Sequence, residues 1–218
     1  MYRIVEGKVC GVLADFDNAL WTVDPKKDPT ETPRHCWGGT LPFMAYELLY
    51  RLDAPRLYRH DLESLFYVML ILTTQYDIHP PTEEEDGGLR VRRQEFEELP
   101  YAIWFSEPSL EDLASYKHTI FSNLRRLDLS PAFEDFRDWL DDLRMSFQQG
   151  FRARDTYENK YRFDSESEDE DTSEFDGETL EGHVDYSALI NPVRKLKGKL
   201  KGLIVRYPPS TSAAEADG

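Results

Sequence analysis

Apolar residues recur with helical spacing along most of the middle of the chain. Residues 61–74 are apolar on nearly every side after the first turn, which is typical of a helix buried at the centre of a domain. Asp61 begins this stretch and is placed to act as its N-cap. A shorter helix is predicted from about residue 43 to residue 51.

Two further helices are predicted in the second half of the chain. Ser109 begins a capping-box pattern, and one helical face continues through Leu113, Tyr116, Ile120, Leu124 and Leu127. Ser130 and Pro131 mark the start of the next helix, which is predicted to end before Gly150 and to bury Phe133, Phe136, Trp139, Leu140, Leu143 and Phe147. These two helices predict a helical layer.

The remaining ordered segments carry weaker patterns. Tyr2–Val5 and Val9–Leu13 are rich in β-forming residues and flank a glycine, so they predict a hairpin. Residues 21–39 contain prolines and charges without a period and predict a loop. Residues 76–100 include adjacent prolines, an acidic run and two glycines, which predict a surface excursion with at most a short helix near residues 92–99.

The last quarter of the chain is divided by charge. Residues 164–181 carry ten acidic and no basic side chains, and the acidic, serine-rich stretch 164–186 is predicted to be disordered. Residues 194–206 carry six basic and no acidic side chains, with apolar residues at helical spacing. We therefore predict a folded domain over 1–160, a disordered acidic linker over 161–190, a short basic amphipathic segment over 191–206 and a disordered tail over 207–218.

The charge and the cysteine content of the chain limit the kinds of partner and the kinds of site that we expect. The net charge of −16 argues against general attraction to nucleic acid or to anionic lipid, because these partners are negative themselves. The two cysteines, Cys10 and Cys36, suggest neither a disulfide framework nor a zinc site. No signal peptide and no stretch of transmembrane length is evident, so we expect an intracellular protein, cytoplasmic or nuclear.

Three motifs occur in the order that protein kinases share. They are Asp15-Phe16-Asp17, the run from Gly39 to Glu47 and the run from Arg59 to Val68. At this spacing they resemble the second half of a protein kinase, from the metal-binding Asp-Phe-Gly turn through the Ala-Pro-Glu end of the activation segment to the buried helix beyond it.

The second and third runs are similar in more detail to the fungal-type protein kinase family. In that family a glutamate and an aromatic residue occupy the central helix where ordinary kinases carry tryptophan and glycine, and the resemblance extends to Trp104 and Lys117. It spans roughly residues 3–150. The fold that it implies is mainly α-helical, a kinase C-lobe preceded here by the short hairpin and followed by the acidic tail.

The resemblance implies roles for individual residues. Asp15 matches the aspartate that binds magnesium on the nucleotide phosphates, and Asp17 replaces the usual glycine and adds a second carboxylate. Thr40 matches the activation-segment threonine that faces the catalytic aspartate. Glu47 matches a glutamate that pairs with an arginine late in the C-lobe. Asp61 matches a structural aspartate that accepts hydrogen bonds from catalytic-loop amides.

The residues themselves leave alternatives open. Asp15 and Asp17 also fit a surface turn that binds no metal, and Glu47 also fits a carboxylate on a helix surface. The arginines considered as partners of Glu47 are Arg125, Arg126, Arg137 and Arg144.

Several parts of a kinase catalytic site are missing from the sequence. Only 14 residues precede Asp15, where a kinase carries its glycine-rich loop, strand lysine and catalytic loop. The run Arg59-His60-Asp61-Leu62 is not the catalytic motif, because its first two residues are reversed and Phe66 occupies the position of the metal-binding asparagine. We expect no catalytic residue and no cofactor for this chain alone, whereas ATP and magnesium are cofactors of the family.

Three hypotheses for the function follow. The first is a C-lobe fragment that is inactive alone and binds or regulates protein partners. The second is an active kinase whose N-terminal half is missing from this sequence. The third is a kinase-like platform for the acidic tail, in which Ser165, Ser167 and Ser173 are candidate phosphorylation sites because each has an acidic residue three positions on.

Overall fold

The computed structural model describes residues 2–5, 8–11, 40–51, 54–79, 90–93, 95, 99–123, 125–163 and 174–196. The chain divides into two units, residues 1–38 with 200–218 and residues 39–199. The fold is mainly helical, as predicted. In the part of the chain that the structure describes, no helix is both long enough and apolar enough to cross a membrane.

The first unit contains the predicted N-terminal hairpin. Strand β1 is Tyr2–Val5 and strand β2 is Lys8–Gly11, and the two pair antiparallel. Tyr2 lies opposite Gly11 and Val5 lies opposite Lys8. The second strand begins one residue earlier than the sequence pattern predicts, and residues 12–13 at the end of the predicted strand lie outside the described residues.

Helix α2, Tyr58–Gln75, is the predicted central helix of the second unit. It begins three residues earlier than expected, and it is preceded by the short helix α1, Tyr46–Tyr50. Buried residues occur on most sides of α2, as its apolar run predicts, and include Leu62, Glu63, Phe66, Tyr67, Leu70 and Ile71.

The prediction that Asp61 caps the central helix is wrong. The N-cap is Leu57, whose backbone N–H donates to His60 Nδ1 at 3.0 Å. Asp61 lies in the first turn with 62% of its side chain exposed and forms an ion pair with Arg56 at 2.8 Å. The cap differs from the prediction because the imidazole of His60 accepts the backbone N–H of Leu57. The sequence pattern assigns the capping role to the Asp61 carboxylate instead.

Asp61→Ala is therefore expected to have a small effect on stability. The substitution removes an exposed ion pair and a favourable charge in the first helical turn, each of which contributes about 0.5 kcal/mol. Chemical denaturation at low salt measures the difference, and Glu111→Ala, which removes an exposed carboxylate from the first turn of α3, is the control. A loss above about 2 kcal/mol would show that Asp61 has buried partners after all.

A second pair of antiparallel strands includes residues 92–93, where a short helix is predicted to begin; residues 94 and 96–98 of that predicted helix lie outside the described residues. Strand β3, Tyr76–His79, continues directly from α2 and pairs antiparallel with β4, Arg90–Arg93. Tyr76 lies opposite Arg93 and His79 lies opposite Arg90. The prediction failed for residues 92–93 because β4 is a four-residue strand rich in arginine, and its pairing with β3 is not visible in its local composition.

Helix α3, Leu110–Ser122, begins with the predicted cap: Ser109 Oγ accepts from the Asp112 amide at 3.1 Å. The helix ends at Ser122, so Leu127, which is buried, belongs to the connection that follows rather than to the helix. Tyr116, on the same predicted helical face as the buried Leu113, is exposed.

Helix α4, Arg137–Phe163, follows a 3₁₀ turn that starts at Pro131. The prediction that it ends before Gly150 is wrong, because the helix continues through that glycine. A Cβ atom at Gly150 would lie 2.7 Å from Leu180 Cβ, so the glycine makes room for a neighbouring segment and does not terminate the helix.

The prediction of disorder is wrong for residues 174–186. A tight turn over residues 177–183 leads into helix α5, Tyr186–Leu196, and the turn and α5 bury Leu180, Val184 and Leu189. The predicted basic segment beginning at residue 191 therefore starts inside a helix that begins five residues earlier. Composition missed this because three well-placed apolar side chains dock an otherwise acidic segment.

The core of the second unit is aromatic. Phe121 of α3 lies 5.5 Å from Phe66 of α2 and 5.2 Å from Phe147 of α4, measured between ring centroids. Tyr46 of α1 and Phe151 of α4 extend the cluster, with centroids 5.0 Å apart. These rings join the four helices around the segment that contains the candidate site.

Candidate functional site

The segment Thr40–Glu47 is the most specific motif of the sequence; it is exposed at Thr40 and Leu41 and buried at Ala45 and Tyr46. Thr40 is exposed and precedes a 3₁₀ turn over Leu41–Phe43, and Glu47 lies in the first turn of α1. The backbone of this segment is held by two buried side chains from different helices, Glu63 and Lys117.

Glu63 of α2 is fully buried. Its Oε1 accepts hydrogen bonds from the Tyr46 backbone N–H at 2.7 Å and from the Tyr67 hydroxyl at 2.6 Å. Its other oxygen, Oε2, is also buried and has no hydrogen-bond partner among the described residues. Glu63 thus fixes the backbone at the start of α1 and carries a desolvated carboxylate in the core.

Lys117 of α3 is also fully buried and reaches the same segment from the opposite direction. Its Nζ donates to the carbonyl of Leu41 at 3.0 Å and to the carbonyl of Met44. The ammonium lies 4.4 Å from the ring centroid of Tyr67 and 5.4 Å from that of Trp104. Carbonyl dipoles and aromatic faces together replace the water that this cation loses on burial.

Glu63 and Lys117 have opposite charges, so burial and their mutual attraction shift each pKa in opposite directions. Burial raises the pKa of Glu63 above its ordinary value and lowers the pKa of Lys117, since each loses hydration of its charged form. The charge of each partner acts in the other direction and favours the ionised pair. Each charge therefore offsets part of the cost of burying the other, alongside the hydrogen bonds that Tyr67 and the Tyr46 amide donate to Glu63.

Glu47 lies at the centre of a second cluster. Its carboxylate forms ion pairs with Arg59 of α2 and Arg154 of α4, and His60 Nε2 lies 3.2 Å from Oε2. Arg154 also donates to the Tyr46 hydroxyl at 3.2 Å. The four candidate partners from the sequence are wrong. Arg126 and Arg137 pair with Glu134, Arg144 pairs with Asp141 at 2.8 Å, and the contacts of Glu47 with the described residues do not include Arg125.

His60 is buried and held in one tautomer. Nδ1 accepts the Leu57 N–H, so the proton of the neutral ring is on Nε2, which donates to Glu47. Burial and the adjacent Arg59 lower the pKa of His60 from 6.5 to about 4. The imidazole is thus neutral at pH 7 and joins the helix cap to the Glu47 cluster.

The other predicted site residues fall outside these clusters. Asp15 and Asp17, the predicted metal ligands, and the candidate phosphorylation sites Ser165, Ser167 and Ser173 all lie outside the described residues. Among the residues that are described, no group of three or more His, Cys, Asp or Glu side chains is arranged to hold a metal ion.

Sequence reasoning missed the functional importance of Arg59, His60 and Arg154. Arg59 and His60 belong to the run that imitates a catalytic motif. Nothing in that run indicates that their side chains contact Glu47. Arg154 lies beyond Gly150, where the helix was predicted to end. A helical pattern continued through that glycine would have placed Arg154 one turn after Phe151, which lies on the buried face.

One protein family model matches the first third of the chain. Residues 3–73 match the family model described as fungal protein kinase. The match confirms the resemblance over these residues, which include the segment Thr40–Glu47 and most of α2. No curated protein and no solved structure matches the chain.

Proposed function

We propose that the second unit is the helical lobe of a fungal-type protein kinase domain and that this chain alone binds or regulates proteins without catalysing phosphoryl transfer. The observation that carries the proposal is the ion pair between Glu47 and Arg154, 107 positions apart. The resemblance implies such a pair between the end of the activation segment and an arginine late in the C-lobe. Glu47 lies in the residues matched by the family model, whereas Arg154 lies beyond them, so the geometry supports the kinship independently.

The use of Arg59 and His60 supports a structural role for the run that imitates a catalytic motif. Both side chains are buried against Glu47, and Asp61 is turned to solvent and paired with Arg56. A catalytic aspartate must reach the substrate hydroxyl with a metal-binding asparagine beside it, and Phe66 occupies that position in the core. The proposal therefore assigns no catalytic residue to this run.

The surface beside Thr40 supports a role in protein binding. The short helical turns Leu41–Phe43 and Ala102–Phe105 are in contact, with the rings of Phe43 and Phe105 5.9 Å apart. Leu41 and Ile103 expose about two fifths of their surfaces there. Exposed apolar side chains on a rigidly held backbone are typical of protein interaction sites, and the Glu63 and Lys117 contacts hold this backbone.

Nucleotide binding by the chain alone is expected to be negligible. The prediction is a change in melting temperature below detection with millimolar ATP and magnesium, because a ligand that does not bind the folded state does not stabilise it. Thermal unfolding followed by circular dichroism measures this, with Asp15→Ala as the matched control. A reproducible increase that Asp15→Ala abolishes would contradict the proposal and would indicate a functional nucleotide site.

The second candidate is an active kinase of which this sequence is a part. It is favoured by the intact clusters that hold Thr40–Glu47, because active kinases depend on an ordered activation segment. The test is to express the chain with any in-frame residues encoded upstream of Met1 and to measure phosphate incorporation into a generic protein substrate. Activity that is lost on Asp15→Ala supports this candidate, and activity of the 218-residue chain itself would refute the non-catalytic proposal.

A further inference from the structure

Helix α4 has a depression at Gly150, which lacks a side chain, and the segment that contains Leu180 fills it. We call this depression the α4 groove. Gly150 lies at its centre, where an added Cβ would lie 2.7 Å and 2.8 Å from Leu180 Cβ and Cδ1 and 3.3 Å from His183 Cβ. Leu180 and Val184 are completely buried, and Leu189 is nearly so. Glycine costs helix stability at a mid-helix position, so its presence here is explained by the close approach of Leu180.

Three polar contacts of this segment have their donor on the helices and their acceptor on the segment. The indole N–H of Trp139 donates to the carbonyl of Leu189 at 3.0 Å, and the backbone N–H of Tyr58 donates to Glu178 Oε2 at 2.7 Å. Arg59 donates to the carbonyl of Gly177. The helices thus supply donors and a cation, and the segment supplies acceptors. This complements a segment that has five acidic and no Lys or Arg side chains over residues 174–185.

The segment holds its own shape by internal hydrogen bonds. The Asp176 carboxylate accepts from the Glu178 amide at 3.0 Å and from the Thr179 hydroxyl, and the Val184 amide donates to the Thr179 carbonyl at 2.8 Å. These bonds support a left-handed backbone at Leu180, Glu181 and Gly182, which presents Leu180 to the groove. The turn can therefore leave the groove as a unit without breaking these bonds.

We propose that the α4 groove at Gly150 is a binding site for an acidic, leucine-bearing segment, and that residues 174–190 are its ligand in cis, forming a releasable latch. Arg59 contacts both Gly177 and Glu47, so release removes one of the two contacts of this arginine. Docking of the latch is thereby coupled to the cluster that holds the end of the Thr40–Glu47 segment.

The test uses the full chain and a labelled synthetic peptide of residues 174–190. Leu180→Asp places a charge in the buried position, and aspartate tolerates the left-handed backbone, so the turn is kept while docking is lost. Gly150→Leu fills the groove with a good helix former. The peptide is expected to bind the Leu180→Asp chain at least tenfold more tightly than the wild type, whose tethered segment competes at an effective concentration on the order of millimolar. It is expected not to bind Gly150→Leu.

Cleavage by a glutamate-specific protease, located by mass spectrometry at Glu178 and Glu181, reports release directly. Both variants are expected to be cut there at least tenfold faster than the wild type. Equal peptide affinity for wild type and Leu180→Asp, or no binding to a Leu180→Asp chain of native helix content, would overturn the proposal. If Leu180→Asp does not fold, hydrogen exchange in the wild type decides, with each rate divided into the rate of the same group in an unfolded peptide: weaker protection of the Trp139 indole than of α2 core amides supports a latch, and equal protection refutes one.

Discussion

Lys117→Met is expected to lower the free energy of unfolding by about 2–4 kcal/mol, because it removes a buried donor and leaves two backbone carbonyls without their hydrogen-bond partner. Methionine keeps the length and apolar contacts of the side chain but donates nothing to the carbonyls of Leu41 and Met44. It also leaves the Glu63 carboxylate buried without its cation. Urea denaturation at pH 7 followed by circular dichroism measures the loss, and Lys160→Met on the exposed face of α4 is expected to change stability by less than about 0.5 kcal/mol.

A double-mutant cycle separates the pair from its neighbours. Glu63→Gln keeps an acceptor for the Tyr46 amide and for the Tyr67 hydroxyl but removes the charge. The double variant Glu63→Gln with Lys117→Met is expected to be more stable than the sum of the single losses predicts, by about 1–3 kcal/mol, since no unpaired charge remains buried. Strictly additive losses would show that the two groups are not coupled.

The consequence of the pair extends beyond stability. Glu63 and Lys117 contact the backbone of Leu41, Met44 and Tyr46, so they position the exposed Thr40 and Leu41 without touching a partner themselves. The Thr40–Glu47 segment is held at its other end by the contacts of Glu47. The side chains that contact the Thr40–Glu47 segment come from α2, α3 and α4, and they fix the segment at both ends.

The elements that were predicted correctly have strong local signals. The apolar run of α2, the Ser109 cap and the β-forming residues of the first hairpin determine their own structure. The charge pair was visible only in part: Lys117 was recognised through a family resemblance, but its burial depends on the Tyr67 and Trp104 rings that surround it. Local pattern cannot show which helices come together around a charged side chain.

The elements that were predicted incorrectly are those in which tertiary contact overrides composition. Gly150 has the local signal of a helix end, and the acidic segment 174–186 has the signal of disorder. Each explains the other, since Leu180 docks where the glycine lacks a side chain. Arg154 lies in the part of α4 beyond Gly150. Interpreting Gly150 as the helix end therefore excludes from the prediction both the docking of Leu180 and the ion pair of Arg154 with Glu47.

Acid is expected to destabilise the chain through His60, by about 3 kcal/mol between pH 7 and pH 4. The pKa of His60 is about 4 in the folded chain and 6.5 when unperturbed. Between these values the unfolded chain binds a proton that the folded chain does not, so the free energy of unfolding falls as the pH falls through this window. Protonation of Nδ1 also replaces the acceptor of the Leu57 amide by a donor, which breaks the cap of α2.

The measurement is urea denaturation at several pH values for wild type and His60→Gln, in which the amide oxygen can accept from the Leu57 N–H but does not titrate. The raised pKa of Glu63 has the opposite sign, since the folded chain takes up a proton first, but it is present in both proteins and cancels in their difference. His118→Gln, at an exposed position of α3 beside the Tyr46 ring, controls for the removal of a histidine from another site. Parallel curves for wild type and His60→Gln from pH 7 to pH 4 would show that His60 is protonated in the folded chain as readily as in the unfolded one.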